Sequence, residues 1–394
     1  MTGAEWMCGI DSGKSPKPSW TSLWQAARVC MPFIPFKTHR KTSRPTTPHS
    51  RTSMAQAEYR QLGKSGLRVS VPVLGGMSFG SEKWFDWILP EEKALPVLKA
   101  AWDAGINTID TANMYSNGES ERIIGKFIKQ YNIPRRNLVI LTKCRFLVDE
   151  DDPSVITSYF KPELAGTREY VNRGGLSRTA LFNQVDASLE RLQTDYIDLL
   201  QIHAFDPDTP MDETMKALHD LVQSGKVRYI GACNLRAWQF IEMNHIAEKN
   251  CWTQFVCTQV EHSLLYRPEE REMFAYCEYK GIGILAYSPL MDGFLARPLG
   301  TKTKRTAAHR GTVFEKPMRK SDETIISRVE ELSKKLGWKM SQVALAWSLT
   351  KVSSPIVGAN SRERIQEAII VGKTLSDEQV KYLEEPYEIR PPRF

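Results

Sequence analysis

Four polar side chains of this chain stand at or just after the ends of short apolar segments. Asp110, Lys143 and His203 each close such a segment, and Tyr115 follows Asp110 by five residues. In barrels of alternating strands and helices, polar groups at the C-terminal tips of consecutive strands meet in the active site. The sequence therefore predicts that these four side chains share one site.

The chemistry of such a site follows from its members. A tyrosine titrates near pH ~10 in water, so Tyr115 needs a nearby cation that favours its phenolate form before it can donate a proton efficiently. Lys143 is the predicted cation, and Asp110 is the counter-charge that keeps a half-buried lysine protonated. His203 would orient a substrate carbonyl. The four residues together predict a site that donates a proton during carbonyl reduction, with the hydride supplied by another molecule.

The segments that carry these residues belong to a regular alternation of strand-like and helical patterns. Strands are predicted at 72–74, 108–110, 138–142, 197–202, 229–232, 255–260, 282–287 and 355–357. Helices are predicted at 91–104, 119–130, 178–192, 211–223, 235–249, 268–280 and 341–350. The alternation predicts an α/β fold, a (β/α)8 TIM barrel. A hairpin over 59–71 is predicted to cap the barrel floor.

Long insertions interrupt this alternation and are predicted to carry substrate specificity, because loops on the catalytic side of a barrel hold its binding residues. Trp84, Phe85 and Trp87 follow the first strand and suit a flat aromatic carbonyl compound. Ordinary loop packing explains these three residues about as well. The insertions span residues 145–175, 292–321 and 375–394.

The first 57 residues differ in composition from the rest of the chain. They mix Ser, Thr, Pro and basic residues without periodicity, which predicts a disordered basic extension before a barrel at 58–394. Translation from Met54, with the extension a gene-model artefact, is an equal alternative. The scarcity of acids resembles a mitochondrial presequence, but Glu5, Asp11 and the lack of a long amphipathic stretch count against it.

Composition limits the classes of function. Residues 1–53 hold eight Lys and Arg against two acids and so account for six of the seven net positive charges. The near-neutral remainder indicates neither a nucleic-acid nor a membrane partner. Seven scattered cysteines without a Cys-x-x-Cys pair predict reduced thiols in the cytoplasm and no metal site, and Cys144 is read as buried rather than reactive. No apolar run approaches the ~18 residues of a membrane helix.

Ordered motifs across the chain resemble those of the aldo-keto reductases, from Tyr59 to Pro392. Within that family, residues 296–299 with 303–305 and the ending 382–387 resemble the fungal versiconal hemiacetal acetate reductase and aryl-alcohol dehydrogenase-like branch. The motifs are Leu74-Gly-Gly-Met-Ser78, Asp110 to Tyr115, Leu141-Thr-Lys143, Leu199-Leu-Gln-Ile-His203, Gly231-Ala-Cys-Asn234, Gln259, Ala286-Tyr-Ser-Pro-Leu290 and Pro355-Ile-Val-Gly358.

The resemblance implies a catalytic tetrad with Tyr115 as the proton donor, because Asp110, Tyr115, Lys143 and His203 match the family's residues in type and order. A lone Asp or Lys at a strand end would more often be a structural ion pair. The implied reaction is NADPH-dependent reduction of an aldehyde or ketone, aromatic or polyketide-like, in secondary metabolism. Oligomeric state is not predicted.

The resemblance also implies how the cofactor NADPH binds, with no Rossmann turn. Asp110, Cys233, Asn234, Gln259 and Tyr287 would surround the nicotinamide, although relatives often have Ser at the position of Cys233. A second group would run along the pyrophosphate: Ser288, Pro289, Leu290, Gly293 and Arg297, with Arg305 a weaker candidate.

Residues that begin the last barrel helix would hold the adenosine end of NADPH. Arg364 stands where the family binds the 2'-phosphate, and Glu367 where it binds the adenine; Gly358 and Asn360 precede them. The family's next Asn is Ala368 here, so one adenine contact is missing. Arg364 could instead be an exposed helix charge paired with a glutamate.

One alternative belongs to a different class of function. Voltage-gated potassium-channel β subunits share this fold and bind NADPH, so a regulatory subunit is also conceivable. That branch often lacks the family histidine, whereas this chain has His203. The complete tetrad therefore favours an enzyme.

Overall fold

The computed structural model describes residues 55–301, 303–312 and 315–393. The predicted disordered extension, residues 1–57, lies outside this part of the chain apart from its last three residues. Among the described residues, none of the helices combines the length and apolarity that a membrane crossing requires.

Eight parallel strands close into a barrel, which confirms the predicted fold. Their neighbours follow chain order, and the last strand pairs with the first. Most positions of these strands are buried, as expected when helices cover the outside of a parallel sheet and side chains fill its interior. The strands are β3 (Val73–Gly75), β4 (Thr108–Asp110), β5 (Val139–Cys144), β6 (Ile197–Ile202), β7 (Val227–Cys233), β8 (Cys257–Glu261), β9 (Gly283–Tyr287) and β10 (Ser354–Val357).

Helices surround the barrel, and each of the seven predicted ones is present within a few residues of its predicted bounds. Additional helices lie in the insertions and on both sides of β10. The helices are α1 (Glu91–Asp103), α2 (Glu119–Gln130), α3 (Thr157–Phe160), α4 (Arg178–Leu192), α5 (Met211–Gln223), α6 (Ala237–Lys249), α7 (Met273–Lys280), α8 (Lys304–His309), α9 (Lys320–Leu336), α10 (Met340–Ser348), α11 (Arg362–Ala368) and α12 (Asp377–Glu384).

A hairpin closes the N-terminal end of the barrel, as predicted. It pairs β1 (Glu58–Gln61) with β2 (Arg68–Val71) in antiparallel register. Leu62 and Leu67 pack with Leu141 and other barrel-interior residues in one buried cluster. Gly63 has a φ of 59°, and a Cβ there would lie 2.4 Å from the backbone nitrogen at the start of β9. Only glycine lets the hairpin approach the barrel this closely.

The strand ends at the opposite side of the barrel carry the residues of interest. Long connections emerge there, after β3, β4, β5 and β9, and the chain's C-terminal segment also reaches this side through Arg393, which pairs with Glu261 at the end of β8. The fold therefore places the predicted specificity loops next to the predicted catalytic residues.

Candidate active site

Lys143 lies at the centre of the polar cluster, with none of its side chain exposed. Its ammonium group donates to Asp110 Oδ2 at 2.6 Å, to the Thr111 carbonyl at 2.9 Å and to the Tyr115 hydroxyl at 3.3 Å. Asp110 ends β4 and Lys143 lies near the end of the neighbouring β5. Adjacent parallel strands thus bring the predicted carboxylate, amine and phenol together.

The turn that carries Tyr115 is locked by buried polar contacts. Ser116 and Asn117 have φ values of 47° and 49°, which few residues other than glycine adopt. Ser116 Oγ accepts the backbone N–H of Ser81 at 3.1 Å, and Asn117 Nδ2 donates to the carbonyls of Asp152 and Val155. These contacts join the turn to two neighbouring loops and fix the position of the phenol.

His203 follows β6 and approaches the phenol edge-on. The centroids of the His203 and Tyr115 rings are 5.9 Å apart at 80°, and the Phe146 ring lies 5.1 Å from that of His203. Burial, and then the charges of Lys143 and Arg145, hold the pKa of His203 well below its usual value of 6.5. The imidazole is therefore neutral at pH 7, and its buried Nδ1 has no hydrogen-bond partner among the described residues.

The effect that dominates the pKa of Tyr115 is not the one expected from the sequence. Burial raises its pKa to about 12; the Lys143 charge opposes this, as expected, but the Asp110 charge reinforces it. For Lys143, burial lowers the pKa, yet the charge of Asp110, its hydrogen bond and the nearby Tyr115 and Cys233 together outweigh burial and leave that pKa above its usual value. The cluster is a protonated phenol beside a buried ion pair.

Two glutamines complete the environment of Asp110. Its Oδ1 accepts from Gln259 Nε2 at 2.8 Å and from Gln201 Nε2 at 3.3 Å, and Gln259 Nε2 also lies 3.2 Å from Gln201 Oε1. Gln259 was predicted, whereas Gln201 was missed. Its signal was a polar residue two positions before His203 in a buried strand, which places both on the same face of the sheet.

The residues predicted around a nicotinamide lie beside this cluster. The Tyr287 hydroxyl donates to Asn234 Oδ1 at 3.0 Å, and Asn234 Nδ2 donates to the His203 carbonyl at 3.3 Å. Cys233 Sγ lies 3.9 Å from Gln259 Oε1, and burial raises the pKa of this thiol to about 12. A protonated thiol is a weak donor, so the departure from serine weakens this contact.

A cleft of about 620 Å³ runs from the polar cluster to α11. This cleft lies at the mouth of the barrel and joins the predicted catalytic residues to the residues predicted along the pyrophosphate and adenosine. Its walls include Asp110 and Tyr115 at one end and the predicted Ser288, Pro289, Leu290, Gly293, Arg297, Gly358, Asn360 and Arg364 further along. Glu367 lies beyond the lining residues and contacts Arg364.

The far end of the cleft fits a phosphate-bearing ligand. Arg297 forms no ion pair among the described residues, and burial followed by the charge of Arg364 lowers its pKa. Two guanidinium groups that repel each other across a cleft are stabilised by an anion between them. Arg364 also pairs with Glu367 at 2.7 Å, so the alternative expectation of a helix ion pair is met as well. The chemistry of these donors suits a dinucleotide phosphate.

The insertion after β9 folds over the cleft and is fastened by Asp292, whose carboxylate is 3% exposed. Arg305 and His309 of α8 each lie 3.1 Å from it. The Arg305 charge, the hydrogen bond to His309 and the Lys316 charge hold the pKa of Asp292 well below its usual value against the effect of burial. Arg305 also stacks on Trp87, 4.5 Å from the ring centroid. Phe85 and Trp87 of the predicted aromatic wall thus pack against His309 of α8, and the Trp84 ring lies 6.4 Å from that of Tyr115.

Glu261 at the end of β8 is a second fastening point that sequence reasoning missed. Lys316, which belongs to the insertion after β9, donates to Glu261 at 2.8 Å. Arg393, which belongs to the C-terminal segment, pairs with the same carboxylate at 2.8 Å. Lys316 also donates to Ser288 Oγ at 3.2 Å. Contacts this distant in sequence leave no local pattern that would predict them.

Cys144 is buried, and its pKa is raised to about 12 by burial. The interpretation of Cys144 as an inert buried thiol is therefore the one the structure supports. Among the described residues, no group of His, Cys, Asp and Glu side chains is arranged to hold a metal ion.

A barrel with a buried Asp–Lys pair, a phenol and an imidazole at its C-terminal edge defines a class of oxidoreductase, and comparison with known proteins agrees. Residues 73–388 match the Aldo/keto reductase family model. Similar proteins include an aldo-keto reductase of Alternaria alternata, 50% identical over 84% of this chain and 92% of that protein. Versiconal hemiacetal acetate reductase of Aspergillus parasiticus is 48% identical over 84% of this chain and 97% of its own length. A candidate aryl-alcohol dehydrogenase of Schizosaccharomyces pombe is 46% identical over 85% of this chain and 97% of its own length.

The chain belongs to the aldo/keto reductase family, and it is an oxidoreductase. Members of this family generally use NADH or NADPH. The predicted family and its branch are confirmed at this level.

Proposed function

We propose that this protein catalyses the NADPH-dependent reduction of an aldehyde or ketone to an alcohol, with Tyr115 as the proton donor. One observation carries the proposal: the Lys143 ammonium group contacts both Asp110 and the Tyr115 hydroxyl, with the His203 ring edge-on to the phenol. A protonated phenol held beside a cation is suited to give a proton to an oxygen that gains negative charge.

In this reaction the substrate carbonyl oxygen lies between Tyr115 and His203. A reduced nicotinamide held beside Tyr287, Asn234 and Gln259 would supply the hydride for the carbonyl carbon. As charge develops on the oxygen, the Tyr115 proton moves to it, and Lys143 stabilises the phenolate that is left. The neutral His203 orients the oxygen without competing as an acid at pH 7.

The test of the reaction is NADPH oxidation at 340 nm with a panel of aromatic aldehydes, aliphatic aldehydes and polyketide-like ketones. Tyr115→Phe removes the proton donor but keeps the ring, so turnover should fall by ~10²-fold or more, the scale of a lost general acid. NADPH binding, measured by fluorescence, should persist in the variant. Turnover close to that of the wild type would rule out the role of Tyr115.

Preference for NADPH over NADH is proposed from Arg297 and Arg364 at the far end of the cleft. The expected result for Arg364→Ala is a raised KM for NADPH with the KM for NADH unchanged, because only NADPH carries the 2'-phosphate that the guanidinium would bind. Equal effects on the two cofactors would remove Arg364 from phosphate recognition.

The substrate is proposed to be an aromatic or polyketide-like carbonyl compound of secondary metabolism. Support comes from Trp84 beside Tyr115 and from the reductases to which the chain is similar. We also propose that the protein acts in the cytoplasm. Turnover on none of the panel, with tight NADPH binding, would favour the regulatory alternative.

A further inference from the structure

Arg145 holds an unusual backbone conformation directly after β5. Its φ is 125°, in the region that favours glycine, although it is a large β-carbon-bearing residue. Strained backbone of this kind persists only where the surrounding structure holds it, and it concentrates at binding and catalytic sites. The strain lies two residues beyond Lys143, so we expect the Arg145 side chain to have a function.

The strained backbone is held by a side chain of α4 and by the backbone of Gly175. Gln184 Oε1 accepts the backbone N–H of Arg145 at 2.7 Å, and Gln184 Nε2 donates to the Gly175 carbonyl at 2.9 Å. The Gly175 N–H in turn donates to the Arg145 carbonyl at 2.7 Å. Gln184 Oε1 also accepts from Asn113 in the turn before Tyr115, at 3.0 Å. The same glutamine thus positions Arg145 and the loop that carries the phenol.

The guanidinium group of Arg145 lies over an aromatic ring that packs against His203. Its Cζ lies 4.9 Å from the centroid of the Phe146 ring, which packs 5.1 Å from His203. Its charge contributes to lowering the pKa of His203. Phe146 joins Trp84, Met114 and Tyr115 in an apolar cluster on this side of the site.

Arg145 lacks the anionic partner that Arg135 and Arg191 have. Arg135 pairs with Asp198 at 2.6 Å and Arg191 with Glu121 at 2.7 Å, each with most of its side chain buried. Among the described residues Arg145 forms no ion pair, and its Nε is buried without a hydrogen-bond partner. The indole N–H of Trp84 is likewise buried without a partner. Buried donors without acceptors are costly unless a ligand supplies the acceptor.

We propose that Arg145 binds an anionic oxygen group of the substrate, so that this protein prefers carbonyl compounds bearing a carboxylate. The inference rests on the proposed reductase function and specifies its substrate class. A guanidinium in an apolar setting binds a carboxylate through two hydrogen bonds and a charge, and the contact is stronger there than in water. A substrate held at Arg145 by its carboxylate presents the rest of its frame to Tyr115 and His203.

The test compares 3- and 4-carboxybenzaldehyde with their methyl esters, which lack the charge and carry one additional methyl group. The ratio of kcat/KM for acid over ester is measured in the wild type, Arg145→Gln and Arg145→Lys. We expect the wild type to favour the acids, Arg145→Gln to lower the ratio tenfold or more, and Arg145→Lys to give an intermediate value because it keeps the charge but not the planar fork. Arg168→Gln, an exposed arginine of the same insertion, is the matched control and should keep the ratio.

Binding without turnover provides an independent readout. Calorimetric titration with benzoate and with benzamide separates charge recognition from aromatic packing. Benzoate should bind the wild type at least tenfold more tightly than Arg145→Gln, and benzamide should distinguish the two much less. If both substrate classes are reduced and the acid-to-ester ratio is the same in Arg145→Gln, the inference is wrong while the reductase function stands. If no aldehyde is reduced, the reductase function fails, and equal benzoate binding by the two proteins then overturns the role of Arg145 as well.

Discussion

Lys143 carries its charge in a fully buried position, so its contact with Asp110 decides the electrostatics of the whole cluster. Both pKa shifts described for Lys143 and Tyr115 depend on that carboxylate. The grouping of the four polar side chains in one site could be predicted from the sequence, because strand-end positions follow from periodicity. The sequence did not predict that burial, rather than Lys143, dominates the pKa of Tyr115, because burial depends on loops that pack from distant parts of the chain.

The buried ion pair makes a stability prediction. Lys143→Met should lower the free energy of unfolding by about 3–5 kcal/mol, because it leaves the Asp110 carboxylate buried without its cation. Adding Asp110→Asn in the same chain should recover part of the loss, since it removes the uncompensated charge. Urea denaturation of the wild type, both single variants and the double variant measures the coupling. A loss of less than about 1 kcal/mol in Lys143→Met would show that Asp110 does not depend on this cation.

At the scale of elements, the alternation of strands and helices was predictable, and the departures from it were not. The sequence pattern predicts one helix, 341–350, in the connection between the last two strands, whereas α9 also lies there. Its buried Ile325, Ile326 and Val329 do follow a helical period. The regular pattern of one helix after each strand does not include a second helix in the same connection. The short helices α8 and α12 were likewise interpreted as loop, since two turns carry too little periodicity to identify.

The floor hairpin offers a test of packing between elements. Gly63→Ala should lower the free energy of unfolding by about 3 kcal/mol or more, because alanine at this φ is strained by ~1–2 kcal/mol and its Cβ collides with β9 backbone. Gly300→Ala is the matched control: its φ is 82°, but nothing lies within 4 Å of the added carbon. The control should show only the backbone strain. Equal losses in thermal or urea unfolding would mean that the hairpin tolerates a larger separation from the barrel.

At the scale of the whole molecule, two buried histidines tie stability to pH. Burial lowers the pKa of both His203 and His262, so the folded protein binds fewer protons than the unfolded chain once the pH falls below ~6.5. Stability due to these groups is therefore present above that pH and is lost as the pH decreases. The direction is the opposite of that for a histidine whose folded pKa is raised.

Urea unfolding at pH 7.5 and 5.5 tests this linkage. The wild type should lose up to about 1.4 kcal/mol per buried histidine over that interval, since each unit of pKa difference corresponds to about 1.4 kcal/mol. His203→Gln should lose less between the same two pH values, because it removes one of the groups. A variant with the same pH dependence as the wild type would show that His203 is not kept neutral by folding.

The shared carboxylate of Glu261 also has a thermodynamic consequence. Lys316 from the insertion over the cleft and Arg393 from the C-terminal segment neutralise the same anion, so the free energy of detaching one segment depends on whether the other is attached. By linkage, the dependence must be reciprocal. Slower amide hydrogen exchange in one segment on ligand binding should then be accompanied by altered exchange in the other, even though they lie about 75 residues apart in sequence. The entrance to the cleft and the end of the chain form one cooperative unit.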